Sequence, residues 1–351
     1  MPLPLPEVPL TNAKYSHYIN YINILLVRTI MKILLTGGAG FIGSHLCEKY
    51  TAENHTLICL DNFLSGSLTN IRGLLNHRNF KLVNGDITDF DLLEKIVRDV
   101  DAIIHLAAQV HVDRSIIEPV LTYNTNVFGT LNILELARRH DVDKVIYTST
   151  SEVYGSAQYT PMDENHPLDS PHPYGASKIA GDRMCRAYAK TYGMNICIVR
   201  PFNTFGPKQR AHGYGGVISI FVKRVLSDIP PIIYGDGKQT RDYTYISDMV
   251  EAFNSVLKYE KVMEGPINFG TGVEISITDL ANKIVDLCGM KKRIKPVHVS
   301  RRPGEVDRLV ASYEKAKRLL GWEPKYTLEK GLTEFIDWYR GYRFEEWAKP
   351  S

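Results

Sequence analysis

One stretch of this chain constrains its fold more than any other. Gly37-Gly38-Ala39-Gly40-Phe41-Ile42-Gly43 joins an apolar run, Lys32-Ile33-Leu34-Leu35-Thr36, to a segment of helical spacing from Ser44 to Thr51. Glycines spaced G-x-x-G-x-x-G between a strand and a helix serve three purposes. Gly37 lets the chain turn tightly, Gly40 removes a side chain where a pyrophosphate approaches, and Gly43 allows close helix–strand packing. The helix start then presents free N–H groups and a positive dipole end to phosphates. A second apolar run, Thr56-Leu57-Ile58-Cys59-Leu60, ends at Asp61, 18 residues after Gly43. A carboxylate there suits the two ribose hydroxyls of adenosine and repels a 2′-phosphate, so NAD is expected over NADP.

The same rhythm continues. Apolar runs end at Gly85-Asp86, Ala107-Ala108, Ser149 and Arg200-Pro201, with helical stretches at Asp89–Arg98 and Val120–His140 between them. Strands alternating with helices predict a doubly wound α/β fold with a parallel, Rossmann-type sheet, and unbroken apolar strands suit burial on both faces. Of the 351 residues, 42 are Lys or Arg and 39 Asp or Glu, a net charge of +3. That balance argues against a nucleic-acid binder, and no run of 18 apolar residues marks a membrane span. The five cysteines, at 47, 59, 185, 197 and 288, are scattered without C-x-x-C, which suggests core thiols in a reducing, cytoplasmic setting and no metal site. Residues 1–30 begin MPLPLPEVPL, lack the basic and apolar regions of a signal peptide, and read as an N-terminal extension.

A second constellation carries chemistry. Tyr174 and Lys178 stand four residues apart on an expected helix, so they share a face. A nearby ammonium favours a phenolate, and a phenolate can take a hydroxyl proton while hydride leaves the same carbon. Upstream, Thr148-Ser149-Thr150-Ser151-Glu152 lies at a strand's C-terminal end, the edge where open α/β sheets bind ligands. Hydroxyls there can hydrogen-bond a substrate oxygen.

With these residues in place the chain resembles the extended short-chain dehydrogenase/reductase family, the nucleotide-sugar epimerases and dehydratases, from Met31 to about Tyr342. The matching segments are TGGAGFIGSH, LDN at 60–62, GDITD, HLAAQ, NTNVFGT, TSTSEVYG, YGASK, RPFNTFGP and TRDYTYISD. The resemblance implies a cofactor domain over 31–203 and 236–266 and a substrate lobe over 204–235 and 267–342. It implies cofactor contacts at Phe41, Ile42, Asn62, Asp86, Ile87, Leu106, Ala107, Ala108, Gln109 and Asn126. Thr150, Tyr174 and Lys178 fall on the family's catalytic hydroxyl, base and lysine. Ser151, Asn203, Val217, Tyr234, Arg241 and Arg302 fall on substrate positions, and guanidinium forks suit a diphosphate. Family members also commonly pair helices such as 120–140 and 174–193 into a homodimer.

Such enzymes first oxidise C4 of the sugar. A 4-epimerase then turns the ketone over, a 4,6-dehydratase loses water between C5 and C6, and a decarboxylase loses CO2 from a uronic acid. Glu152 tips the reading toward the dehydratase, because it can take an acidified C5 proton. GYGGVISIF, PPIIYGDG and RRPGEVDR look more like UDP-glucose 4-epimerases, the alternative. Ser151 stands where dTDP-glucose dehydratases carry Asp. A silent sensor on the same fold is disfavoured by the complete Thr150, Tyr174 and Lys178 set.

Overall fold

A computed structural model describes residues 30–211, 215–260, 265–302 and 304–342; apart from Ile30, the expected extension lies outside the described residues. In chain order the strands are β1 (Lys32–Thr36), β2 (Thr56–Asp61), β3 (Phe80–Asn84), β4 (Ala102–His105), β5 (Lys144–Thr148) and β6 (Ile196–Pro201). They continue as β7 (Asn203–Phe205), β8 (Ile232–Tyr234), β9 (Thr240–Tyr245), β10 (Pro266–Phe269), β11 (Glu274–Ser276), β12 (Val297–Val299) and β13 (Arg308–Leu309).

Seven strands form one sheet in the order β10-β6-β5-β4-β1-β2-β3, every neighbouring pair parallel. The expected doubly wound, Rossmann-type sheet is therefore the fold. Apart from the edge strand β3, its strands are buried on both faces, successive side chains pointing to opposite sides. On β1, Ile33 and Leu35 join the core beneath helices Phe41–Ala52 and Ile246–Lys258. Leu34, between them, points to the other layer, built by helices Phe90–Val97, Gly129–Arg139 and Pro173–Tyr192. Each fully buried Leu or Ile contributes about 1.5–3 kcal/mol relative to exposure, so a run of such residues fixes a strand at this depth. All five cysteines are buried and free.

After β6 the chain leaves the sheet. β7, β9, β11 and β13 make a small mixed sheet, and β8 pairs with β12. Helices Val217–Leu226, Ile277–Leu287 and Leu328–Gly341 pack a second core around Phe221, Leu280 and Phe335. β9 thus belongs to the small sheet, while the helix directly after it returns to the large one and leads to β10. β1 has β2 on one side and β4 on the other, so the strand order reverses there. A crevice opens at the C-terminal ends of these strands, where a switch point places a ligand. Among the described residues no helix is long and apolar enough to cross a membrane.

Candidate active site

The crevice is a cleft of about 450 Å³ running from the glycine turn to the start of helix Val217–Leu226. At one end Gly37 has φ +73°, and a Cβ there would lie 2.8 Å from the backbone nitrogen of Ala107. A Cβ on Gly43 would lie 2.2 Å from the Gly37 carbonyl oxygen, so no side chain fits. Helix Phe41–Ala52 has no side-chain cap and no acid in its first turn, which leaves its leading N–H groups turned to the cleft mouth. Asp61 closes β2. Its carboxylate accepts the Ala39 N–H at 2.9 Å and the Phe63 N–H at 2.8 Å. Burial nevertheless pushes this carboxyl above its ordinary range, the two N–H groups offsetting only part of that effect.

Asn62, Ile87, Leu106, Ala107 and Ala108 line the same half. Asp86 stands behind Asn62, accepting its amide at 2.6 Å. Gln109 and Asn126 do not line the cleft; they brace it. The Gln109 N–H reaches Asn126 Oδ1 at 2.7 Å, and Asn126 Nδ2 donates to the Gln109 carbonyl and to Ser177 Oγ, each at 2.9 Å. This clamp ties the loop after β4 to the helix that carries Tyr174. Asn126 sits in a π-helical turn, Asn124–Phe128, inside the stretch expected to be plain helix.

The middle of the cleft brings together Thr150, Ser151, Glu152, Tyr174 and Lys178. Pro173 at the first helical position and Gly193 just past the last bound the helix Pro173–Tyr192, so Tyr174 lies in its first turn. Burial pushes the Tyr174 phenol up, a hydrogen bond with Thr150 eases it down, and the Glu152 charge raises it again. Lys178 does not sit on the phenol. Its Nζ donates to the Thr148 carbonyl at 2.8 Å and lies 4.9 Å from the centre of the Tyr147 ring. One of the three ammonium N–H groups is thus directed at the end of β5, and burial lowers the Lys178 pKa to about 8. Burial also pushes Glu152 upward, but the His172 hydrogen bond and, after it, the Arg241 charge outweigh it, leaving the carboxyl below its ordinary value.

On the far side, Asn203 and Val217 line the cleft. Arg241 donates to the Thr240 carbonyl at 2.8 Å and acts on Glu152 through its charge. Tyr234 and Arg302 lie further out. The Arg302 guanidinium stacks 3.7 Å over the Tyr234 ring and meets Asp113 at 3.6 Å. Two lining residues, Tyr243 and Gln209, escaped the sequence reading; like Thr148 and Ser149 of the hydroxyl-rich segment, each carries a buried polar atom with no hydrogen-bond partner among the described residues. His172 escaped it too, although a histidine directly before Pro-Tyr, where the helix cap falls, was a readable signal.

These features define a Rossmann-type enzyme that binds a dinucleotide beside a polar substrate pocket. The chain belongs to the GDP-mannose 4,6-dehydratase family of nucleotide-sugar epimerases and dehydratases, whose model matches residues 34–335. It is 40% identical over 310 residues to a putative UDP-glucose 4-epimerase of Methanocaldococcus jannaschii, covering 88% of this chain and 98% of that one. Among solved structures it is similar to a UDP-glucose 4-epimerase of Thermotoga maritima with UDP-glucose, at TM-score 0.84 and 35% identity, covering 89% and 99% of the two chains. A dTDP-glucose 4,6-dehydratase of Streptomyces venezuelae with NAD bound matches at TM-score 0.85 and 34% identity, covering 91% and 99%. NAD is the cofactor of this family. The residues here fit it: side-chain-free glycines at the turn, an uncapped helix start, and unpaired Thr148 and Ser149 hydroxyls further along the cleft.

Proposed function

We propose that this enzyme converts a nucleotide-diphosphate hexose to its 4-keto-6-deoxy product, a 4,6-dehydratase reaction passing through a 4-keto sugar. The observation that carries this reading is Glu152. It is a half-buried carboxylate lining the cleft, its ionised form favoured by His172 and Arg241. A simple epimerase has no use for a second base there. NAD held by the glycine turn and the Asp61 end of the cleft would supply the hydride acceptor for C4 and the hydride donor for the later reduction.

Tyr174, with Thr150 at its hydroxyl, takes the O4 proton as that hydride leaves. The resulting ketone acidifies C5, and Glu152 takes the C5 proton. Among the described residues Asp61 is the other acid lining the cleft, at the glycine-turn end, while Ser151 offers only a hydroxyl. Glu152 therefore passes its proton to O6 as the C6–O bond breaks, and water departs. With the hydride that the reduced cofactor would supply at C6, a solvent-exchangeable proton, balancing the one taken from O4, restores C5. On this reading Asn203, Arg241 and Arg302 hold the diphosphate, with Val217 and Tyr234 at the nucleobase. The seven-stranded sheet with its helices makes the cofactor lobe, and the smaller sheets make the substrate lobe.

The second reading, 4-epimerisation, is favoured by the 40% identity to a chain so described. It would use Tyr174 and Lys178 alike and leave Glu152 without chemistry. Incubation with UDP-, GDP- and dTDP-hexoses, followed by NMR, separates the two. A 4-keto-6-deoxy product supports dehydration, and a C4 stereoisomer of unchanged mass contradicts it.

The same reading makes the protein a cytoplasmic homodimer, its free buried thiols suited to a reducing compartment. Ile117 and Val120 are 71% and 70% exposed and Phe128 58%, on turns that lie against helix Pro173–Tyr192, where Tyr192 is also exposed. A second copy would cover that apolar face.

A further inference from the structure

We infer that His172 is the positioning residue of this site, one ring that aims the Glu152 carboxylate and anchors the first turn of the Tyr174 helix. The inference rests on the reading of Glu152 as the base. His172 is buried. Its Nδ1 accepts the Gly175 N–H at 3.1 Å, capping helix Pro173–Tyr192. An accepting Nδ1 carries no proton, so the neutral ring has its hydrogen on Nε2. That nitrogen lies 3.2 Å from Glu152 Oε2 and donates to it. The ring also lies parallel to that of Tyr174, centroids 6.0 Å apart and planes 12° apart. Glu152 closes the loop: its own N–H donates to Thr150 Oγ1 at 3.2 Å, and Thr150 bonds the Tyr174 hydroxyl.

Because the donor sits on the carboxylate, it favours the ionised form of Glu152 over the protonated one. The charged and titratable groups facing Glu152 are His172 on the helix start, Arg241 on β9, and Tyr174. Of these, His172 alone is hydrogen-bonded to the carboxylate.

Stereochemistry allows the two duties to be separated. In His172→Asn the shorter amide can still accept the Gly175 N–H, as asparagine is a good cap, but it falls short of Glu152. In His172→Gln the longer amide reaches Glu152. The experiment measures kcat and KM for the converted sugar nucleotide across pH in the wild type, both variants and Glu152→Gln, with thermal midpoints as a check on folding. In His172→Asn, loss of a hydrogen bond to a charged group should move the acid limb of kcat up by about 1–2 pH units. Turnover on that limb should fall about 10- to 100-fold, with KM far less changed. His172→Gln should bring the limb back toward the wild type. A purely structural histidine would lower the thermal midpoint and leave the limb where it was. If Glu152→Gln is inactive and His172→Asn leaves the limb unmoved, the role of His172 is overturned. If Glu152→Gln turns over normally, the base assignment beneath it is overturned instead.

Discussion

Tyr174 carries the sharpest expectation at the level of single residues. Tyr174→Phe removes one oxygen from a buried ring and should keep the fold and NAD affinity. With the proton acceptor gone, turnover should drop about 10²–10⁴-fold. Calorimetry with NAD and steady-state rates check the two halves separately. His105 gives a pH dependence whose sign is fixed. It is fully buried at the end of β4, with Nδ1 2.7 Å from Thr36 Oγ1 and Nε2 3.1 Å from Thr130 Oγ1. Burial first, and the Lys178 charge second, lower its pKa from 6.5 to about 3. The unfolded chain therefore binds a proton that the folded one refuses between those values. The stability tied to this residue is fully present above pH 6.5 and is lost as pH falls toward 3, at about 1.4 kcal/mol per unit. His105→Gln should flatten that part of the curve of thermal midpoint against pH, relative to the wild type.

At the level of elements, the glycine turn is the most demanding piece of backbone. Gly43→Ala would place its Cβ 2.2 Å from the Gly37 carbonyl and 2.8 Å from the Gly38 Cα, both backbone atoms that cannot swing aside. It should cost about 1–3 kcal/mol of stability and most NAD affinity. Gly73→Ala, with nothing within 4 Å of its Cβ, should do neither, and denaturation with cofactor titration compares the pair. Such elements were legible in the sequence because each rests on a local rule. Strands buried on both faces need unbroken apolar runs, which is why β1, β2, β4 and β5 are readable from the sequence alone. The site was legible where two rules met within one strand–helix–strand unit, as with the glycine turn and Asp61 at the end of the next strand. It was not legible where partners come from distant segments. Lys178 is paired with a carbonyl 30 residues earlier, and His172 acts on Glu152 20 residues earlier. The three-residue strands of the small sheet carry too few side chains to show a period. The π-helical turn at Asn124–Phe128 depends on Asn126 bonding across to Gln109 and Ser177, contacts no local pattern contains.

Taken whole, the molecule sets two cores side by side, with the cleft along their boundary and an apolar flank outside it. Val120→Glu combined with Phe128→Glu should convert a dimer to a monomer in light scattering at micromolar concentration, because both side chains are largely exposed on that flank. A wild-type mass equal to one chain would contradict the assembly. What the cleft does once C4 is oxidised is tested most directly by turnover in D2O. The product of the preferred sugar nucleotide is examined by NMR and mass spectrometry for hydrogen at C5 and for loss of water. If Glu152 takes the C5 proton, the product is a 4-keto-6-deoxy sugar, lighter by one water and carrying deuterium at C5. A C4 epimer that retains its water and its original hydrogen at C5 would contradict the role given to Glu152 and make the enzyme an epimerase.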